Sequence, residues 1–323
     1  MAENENILEV KHLKKHFKTA SGMLHAVDDV TFSVKRGETL GLVGESGCGK
    51  STIGRLILGL HQATSGEILF EGKDICKMKK NELHDLRKDM QIIFQDPYSS
   101  LNPRMSISEI IGEPLLIHKK VANHAELNEQ VRKLMDTVGL SSRLENAYPH
   151  ELDGGRRQRV GIARALSLTP KFIVCDEPVS SLDVSIQAQV LNLLKNLQEE
   201  YGLTYLFITH DLSVVKYFSN NIAVMYLGQL VETATSDELF HHTLHPYSKA
   251  LLSAIPEPTV KRKMQRVKLT GELTSPINPQ PGCRFAKRCL YATEACTGCD
   301  PVLQEYGSGH FCTCFRTKEL EET

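Results

Sequence analysis

The chain has 323 residues, enough for one large core and a smaller appendage. Its 38 Lys and Arg stand against 39 Asp and Glu, so no global basic field exists to hold nucleic acid. The start of the chain lacks the basic and apolar regions of a signal peptide, and no apolar run approaches the roughly 18 residues needed to span a bilayer. A soluble cytoplasmic chain is expected, with any link to a membrane running through a partner.

In chain order, β-rich runs occupy 7–10, 26–34, 39–43 and 66–70. A helix is expected from about Lys50 to Leu60, where Ile53, Leu56, Ile57 and Leu60 recur at helical spacing. Residues 104–168 read as helical, with amphipathic stretches at 127–138 and 155–168. A buried strand follows at 172–175, then a long helix at 184–201, a strand at 204–209 and a helix at 212–218. Strands alternating with helices predict an α/β core with a mixed or largely parallel sheet. The helical block, about 96–168, interrupts it as an inserted subdomain. The domain expectation is a nucleotide-binding domain over 1–255 and an extension over 256–323. Prolines in 256–282 remove backbone donors and mark a linker, and a cysteine-rich module follows at 283–314.

Gly44-Glu45-Ser46-Gly47-Cys48-Gly49-Lys50-Ser51 fits G-x-x-x-x-G-K-[ST], directly after a strand and before a helix. Its backbone N–H groups are expected to turn inward around phosphate oxygens. The helix N-terminus, which begins Lys50-Ser51-Thr52, adds about half a unit of positive charge. Lys50 is expected to reach the β- and γ-phosphates of ATP, and Ser51 to ligate Mg²⁺. The apolar run 172–175 ends in Asp176-Glu177. Asp176 would hold Mg²⁺, and Glu177 would polarise the attacking water.

Further motifs narrow the class. Leu152-Asp153-Gly154-Gly155-Arg156 resembles the signature motif of ATP-binding-cassette (ABC) ATPases, about 20 residues before the acidic strand end. Gln95 resembles the Q-loop residue, which also reaches Mg²⁺. Asp183 resembles the D-loop, His210 the switch histidine, and Phe17 the aromatic residue that stacks on adenine. The resemblance implies a head-to-tail dimer in which each ATP lies between one subunit's phosphate loop and the other's signature motif. Residues 95–104 would contact the membrane subunits.

The family's signature reads Leu-Ser-Gly-Gly-Gln, whereas here Asp153 replaces Ser and Arg156 replaces Gln. A carboxylate cannot donate to a γ-phosphate unless protonated. Two like charges about 4 Å apart repel by about 4 kcal/mol at an effective dielectric of about 20. Either Arg156 compensates, by pairing with Asp153 or meeting phosphate, or Asp153 simply caps the following helix. One intact set of cis motifs beside an altered trans motif points to a heterodimer with unequal ATP sites.

Gly44-Glu-Ser-Gly-Cys-Gly, Ile92-Ile-Phe-Gln-Asp-Pro-Tyr-Ser-Ser-Leu-Asn-Pro-Arg, Asp183-Val-Ser-Ile-Gln-Ala-Gln-Val and His245-Pro-Tyr-Ser-Lys-Ala-Leu-Leu are similar to ATP-binding subunits of bacterial dipeptide/oligopeptide importers. That family implies a second ATPase subunit, two transmembrane permeases and an extracytoplasmic peptide-binding protein. It places the chain on the cytoplasmic face of the membrane. Nickel importers share the architecture. A soluble ABC ATPase of DNA repair or translation is disfavoured by the single cassette and absence of heptads. A P-loop kinase is disfavoured by the signature motif and switch histidine.

The last six cysteines are spaced C-x5-C-x6-C-x2-C-x12-C-x-C. Converging thiolates can bind zinc or an iron–sulfur cluster. The importer resemblance implies a 4Fe-4S cluster on Cys283, Cys289, Cys296 and Cys314, with Cys299 or Cys312 as alternative ligands.

Overall fold

Apolar runs flanked by polar turns generate the strands here, and capped amphipathic stretches generate the helices. The computed structural model describes residues 5–255, 275–307 and 309–321. The linker expected at 256–282 lies outside the described residues up to 274.

The elements in chain order are β1 (Asn6–Thr19), β2 (Gly22–Lys35), β3 (Thr39–Val43), α1 (Lys50–Ile57), β4 (Ser65–Phe70), β5 (Lys73–Asp74), α2 (Lys80–Leu86) and β6 (Met90–Ile93). Then come α3 (Pro97–Ser100), α4 (Ile107–Ile117), α5 (His124–Thr137), α6 (Gly154–Leu166), β7 (Phe172–Asp176), α7 (Val184–Tyr201) and β8 (Thr204–Thr209). The chain continues through α8 (Leu212–Phe218), β9 (Asn221–Tyr226), β10 (Gln229–Thr235), α9 (Ser236–His241), α10 (Pro246–Ser253), β11 (Gln304–Glu305), β12 (Phe311–Cys312) and α11 (Thr317–Glu321).

Two compact units emerge, the first from 1–34, 39–76 and 209–323, the second from 35–38 and 77–208. The first unit holds a four-stranded sheet in the order β2-β1-β4-β5. It also holds the strand run β11-β12-β10-β9-β3. There β3 and β9 are parallel, pairing Leu42 with Ala223, and the other neighbours are antiparallel. The cysteine-bearing segment therefore belongs to the same unit as the phosphate loop. The second unit holds β6, β7 and β8 in parallel register, with Val174 opposite Ile92 and Leu206. Every residue of β3, β7 and β8 is buried. Each fully buried Val, Leu, Ile or Phe contributes about 1.5–3 kcal/mol, which holds these strands in the core.

Helix ends follow local chemistry. Ser106 and Glu109 form a capping box on α4, and the Asn123 side chain accepts from Glu126 N–H to start α5. Asp183 caps α7, and Gly202 ends it in the left-handed conformation. The expected strand and helix runs recur here with some changes of extent. The run at 7–10 is part of a 14-residue strand, and 26–34 sits within another of 14. The helix after the phosphate loop is shorter than expected, closing at Ile57.

Candidate functional site

In the first unit, β3 delivers the chain into the loop Gly44-Glu-Ser-Gly-Cys-Gly-Lys50, and α1 begins at Lys50. Gly49 caps that helix at φ 110°, and a Cβ there would lie 2.1 Å from the Ala26 carbonyl oxygen on β2. Only glycine combines that conformation with that approach. Lys50 is buried, and its Nζ donates to the carbonyls of Gly44 at 2.8 Å and Glu45 at 3.0 Å. The cation is thus held over the loop's own backbone. Ser46 and Gly47 are exposed at the loop tip, and Cys48 is buried. Burial pushes the Cys48 thiol up, against the pull of the Lys50 charge, so it is a packing residue at neutral pH.

Phe17 lies on β1, half-buried, edge-on to His61 with ring centroids 5.9 Å apart. The Lys15 ammonium sits 4.7 Å from its centroid. His210 is exposed between β8 and α8.

In the second unit, Asp176 is buried at the end of β7 and Glu177 follows it. Glu177 has φ 49°, a left-handed conformation that costs a non-glycine residue about 1–3 kcal/mol. Its N–H donates to the Ile208 carbonyl at 2.9 Å, which fixes the turn. Its carboxylate accepts from Gln95 Nε2 at 2.8 Å. Residues 82 positions apart in the chain are thereby joined. Asp183 faces solvent and caps α7 through Ile186 N–H at 3.0 Å.

At the expected signature motif, Asp153 caps the following helix and also lies beside the Arg156 side chain. Asp153 Oδ1 accepts from Arg156 N–H at 2.8 Å, capping α6, while Arg156 Nε lies 3.4 Å from Asp153 Oδ2. Both side chains remain more than half exposed, at 60% and 57%. A Cβ on Gly155 would lie 2.6 Å from Ile186 Cγ2 on α7, so this position requires glycine as well. Beside this motif, the Arg157 guanidinium lies 5.0 Å from the ring of exposed Tyr98 and donates to the Pro149 carbonyl.

In the C-terminal segment, Cys283, Cys289, Cys296 and Cys314 line one cavity with Phe285 and Tyr291. Cys299 is exposed elsewhere, and Cys312 is buried against the Thr317 hydroxyl at 3.5 Å. Burial pushes the Cys283 thiol up to about 11, reinforced by the other three thiols. The segment is anchored at several points within the first unit. Arg284 donates to Asp28 and to the Leu227 carbonyl. Phe285 packs on Tyr226 and Tyr247, with centroids 5.3 and 5.4 Å away. Arg288 binds Glu45 with two hydrogen bonds, 2.7 and 3.0 Å long. These long-range partners carry no local motif, and reasoning from spacing alone missed them. The one signal was the density of Arg among the cysteines. Among the described residues, one group of three has ligating atoms within 4.8 Å of one another: His16, His25 and Asp28. Arg284 already pairs with that carboxylate, so the group is a hydrogen-bonded cluster around the Asp28–Arg284 ion pair, joining β1 and β2 to the C-terminal segment.

Among the described residues, no helix is long and apolar enough to cross a membrane. Comparison with known proteins adds the following. The ABC transporter family model matches residues 27–180. The model for the oligopeptide/dipeptide transporter C-terminal region matches residues 231–296. The oligopeptide transport ATP-binding protein OppF of Escherichia coli is 51% identical over 325 residues, covering 97% of both chains. OppF of Bacillus subtilis is 57% identical over 265 residues, covering 82% of this chain and 87% of its own. Among solved structures, a dimeric ATP-binding cassette in a post-hydrolysis state with ADP and Pi aligns with a TM-score of 0.65 at 30% identity. The alignment covers 71% of this chain and 98% of that one. Clostridium perfringens cbiO1, part of an ABC transporter complex, aligns with a TM-score of 0.66 at 29% identity, covering 74% and 92%.

Proposed function

The chain belongs to the ABC transporter ATPases that carry the oligopeptide/dipeptide transporter C-terminal region, and from that premise we propose how its residues divide the work of ATP-driven peptide import. It is the ATP-binding subunit of an oligopeptide/dipeptide importer, and its reaction is ATP hydrolysis. The relatives at about half identity over nearly the whole chain carry this reading.

The loop around Lys50 takes the β- and γ-phosphates, with backbone N–H groups and the α1 N-terminus supplying positive potential. Phe17 takes the adenine. Mg²⁺ suits the hard oxygen donors of Ser51, Asp176 and Gln95. Glu177 accepts the proton of the water that attacks the γ-phosphorus, and ADP departs as the bond to the β–γ bridging oxygen breaks. The hydrogen bond from Gln95 supports this role, because it fixes the direction of the Glu177 carboxylate. His210 contacts the γ-phosphate, and Asp183 lies at the dimer seam. The signature residues Asp153, Gly154, Gly155 and Arg156 serve the nucleotide held by a second ATPase subunit, in a heterodimer with unequal sites. Two permeases dock near Gln95 and the exposed Tyr98, which holds the chain at the cytoplasmic face. An extracytoplasmic peptide-binding protein delivers cargo to those permeases. Peptide-stimulated ATPase activity and ATP-dependent uptake of labelled peptide, in proteoliposomes with both permeases, test the assignment. Uptake of nickel in place of peptide would overturn the cargo.

Cys283, Cys289, Cys296 and Cys314 fit a 4Fe-4S cluster by donor type and by sharing a cavity. Among the described residues no three of these thiols lie within 4.8 Å of one another. A single tetrahedral zinc ion at about 2.3 Å from each sulfur would draw them closer than that. The cluster's positive iron would favour thiolates that burial alone disfavours, and it would stiffen the extension. Four irons per chain with visible absorbance in anaerobically purified protein is the expected result. Stoichiometric zinc without iron would remove the cluster.

A further inference from the structure

The loop Gly44–Ser51 is gripped from outside by Arg288 of the C-terminal segment and by Tyr247 of α10, both of which bond to Glu45. Arg288 sits in the short turn Ala286–Arg288, one residue before Cys289 and five after Cys283. Its guanidinium is almost entirely buried and reaches both carboxylate oxygens of Glu45, the second residue of the phosphate loop. The same guanidinium donates to the Tyr226 hydroxyl at 3.4 Å. The Glu45 N–H donates in turn to the Tyr247 hydroxyl at 3.0 Å. Glu45 is therefore fixed at main chain and side chain, and its carbonyl is one of two that hold Lys50 Nζ. Phe285, which packs on both tyrosines, lies in the same turn region as Arg288 and between the first two cavity cysteines.

We propose that Arg288 is a positioning residue for the phosphate loop and that it couples the four-cysteine cavity to nucleotide affinity. This rests on the reading of the loop as the ATP site. The physical chain is short. Cys283 and Cys289 fix the ends of the turn, and the turn presents a planar guanidinium to a carboxylate. The bidentate pair sets where the Glu45 peptide lies, and so how Lys50 and the loop N–H groups meet phosphate. Anything that rearranges the thiols, whether release of a bound group or oxidation, loosens the loop through the same turn.

The test uses the purified full-length chain and fluorescently labelled ATP with Mg²⁺, with labelled adenosine as the probe lacking phosphates. R288Q and E45Q should each weaken ATP about tenfold while leaving adenosine unchanged, and the double variant should be no weaker than either single one. R288K, which keeps the charge but loses the planar fork, should fall between wild type and R288Q. If R288Q does not fold, R288K decides: wild-type affinity there overturns the proposal. Equal loss of ATP and adenosine binding in R288Q, or additive losses in the double variant, also overturn it. C289S should weaken ATP in the wild-type background and add nothing in R288Q. Equal weakening in both backgrounds removes the link to the cavity. K50A binding ATP like wild type would instead remove the ATP-site reading itself. Iron measured on the same preparations reports separately on the cluster.

Discussion

Replacing Asp153 with Ala and with Ser separates two roles that one carboxylate performs. Its Oδ1 accepts from Arg156 N–H at 2.8 Å and so satisfies an otherwise open donor at the start of α6. Removing such a cap costs about 1 kcal/mol, while Ser preserves it to within a few tenths. Its Oδ2 pairs with Arg156 Nε at 3.4 Å, but with both groups more than half exposed that contact contributes less than about 1 kcal/mol. D153A should therefore lose about 1–2 kcal/mol in urea unfolding, and D153S less than about 1. The second role is electrostatic. Two unit charges about 4 Å apart repel by about 1 kcal/mol in water and about 4 at an effective dielectric of 20. A phosphate opposite this motif would feel a value inside that range. D153S should then tighten ATP at the partner's site about tenfold, most strongly at low salt. Fluorescent ATP binding to the assembled ATPase pair measures this. Equal destabilisation by Ala and Ser would refute the cap, and unchanged ATP affinity at low salt would refute the repulsion.

E177Q should bind ATP normally and lose about 10²–10⁴ in turnover, since the amide preserves a partner for Gln95 but cannot take the proton. Phosphate release under saturating Mg-ATP decides this, and near-normal turnover would discard the assignment. G155A should cost about 1–3 kcal/mol, because its methyl group would press Ile186, and a thermal melt should fall by several degrees. The pH profile should carry the mark of His310. Burial pulls that imidazole down, but the hydrogen bond and charge of Glu232, 2.8 Å away, outweigh it and raise it. A raised folded value means its stabilisation is complete below the unfolded value of about 6.5 and is lost as pH rises through the folded one. H310Q should flatten urea stability as pH rises above about 6.5, and an identical slope in both proteins would exclude the pair as its source.

Legibility in the sequence followed the range of the forces involved. Strands β3, β7 and β8 are buried along their whole length, so they appear as unbroken apolar runs. Helix α7 carries its own start and stop in Asp183 and Gly202, and its bounds were readable. The polar end of β1, from Lys14 to Thr19, carries Phe17 as its single apolar residue and so shows no alternation, because ladder hydrogen bonds hold it as much as burial does. Strand β6 spans only four residues, Met90–Ile93, too short for a pattern to emerge. In the candidate site, the loop Gly44–Ser51 and the pair Asp176–Glu177 stand out in the sequence because each is a contiguous run. The Arg288–Glu45 pair spans 243 positions and is a product of folding, invisible to any local window.

Glu232 gives the C-terminal segment a further consequence. Its carboxylate is fully buried on β10, accepting from the N–H groups of Leu244 and His245 and from His310 Nε2. Strand β12 lies along the flank of β10, with Phe311 opposite Thr233. A cassette truncated before the cysteines would leave that flank as an open edge, with the buried Glu232 carboxyl deprived of its hydrogen bond to His310. Such a fragment would be prone to self-association through β10, so the C-terminal segment also serves as the edge cover of the sheet that carries the loop Gly44–Ser51.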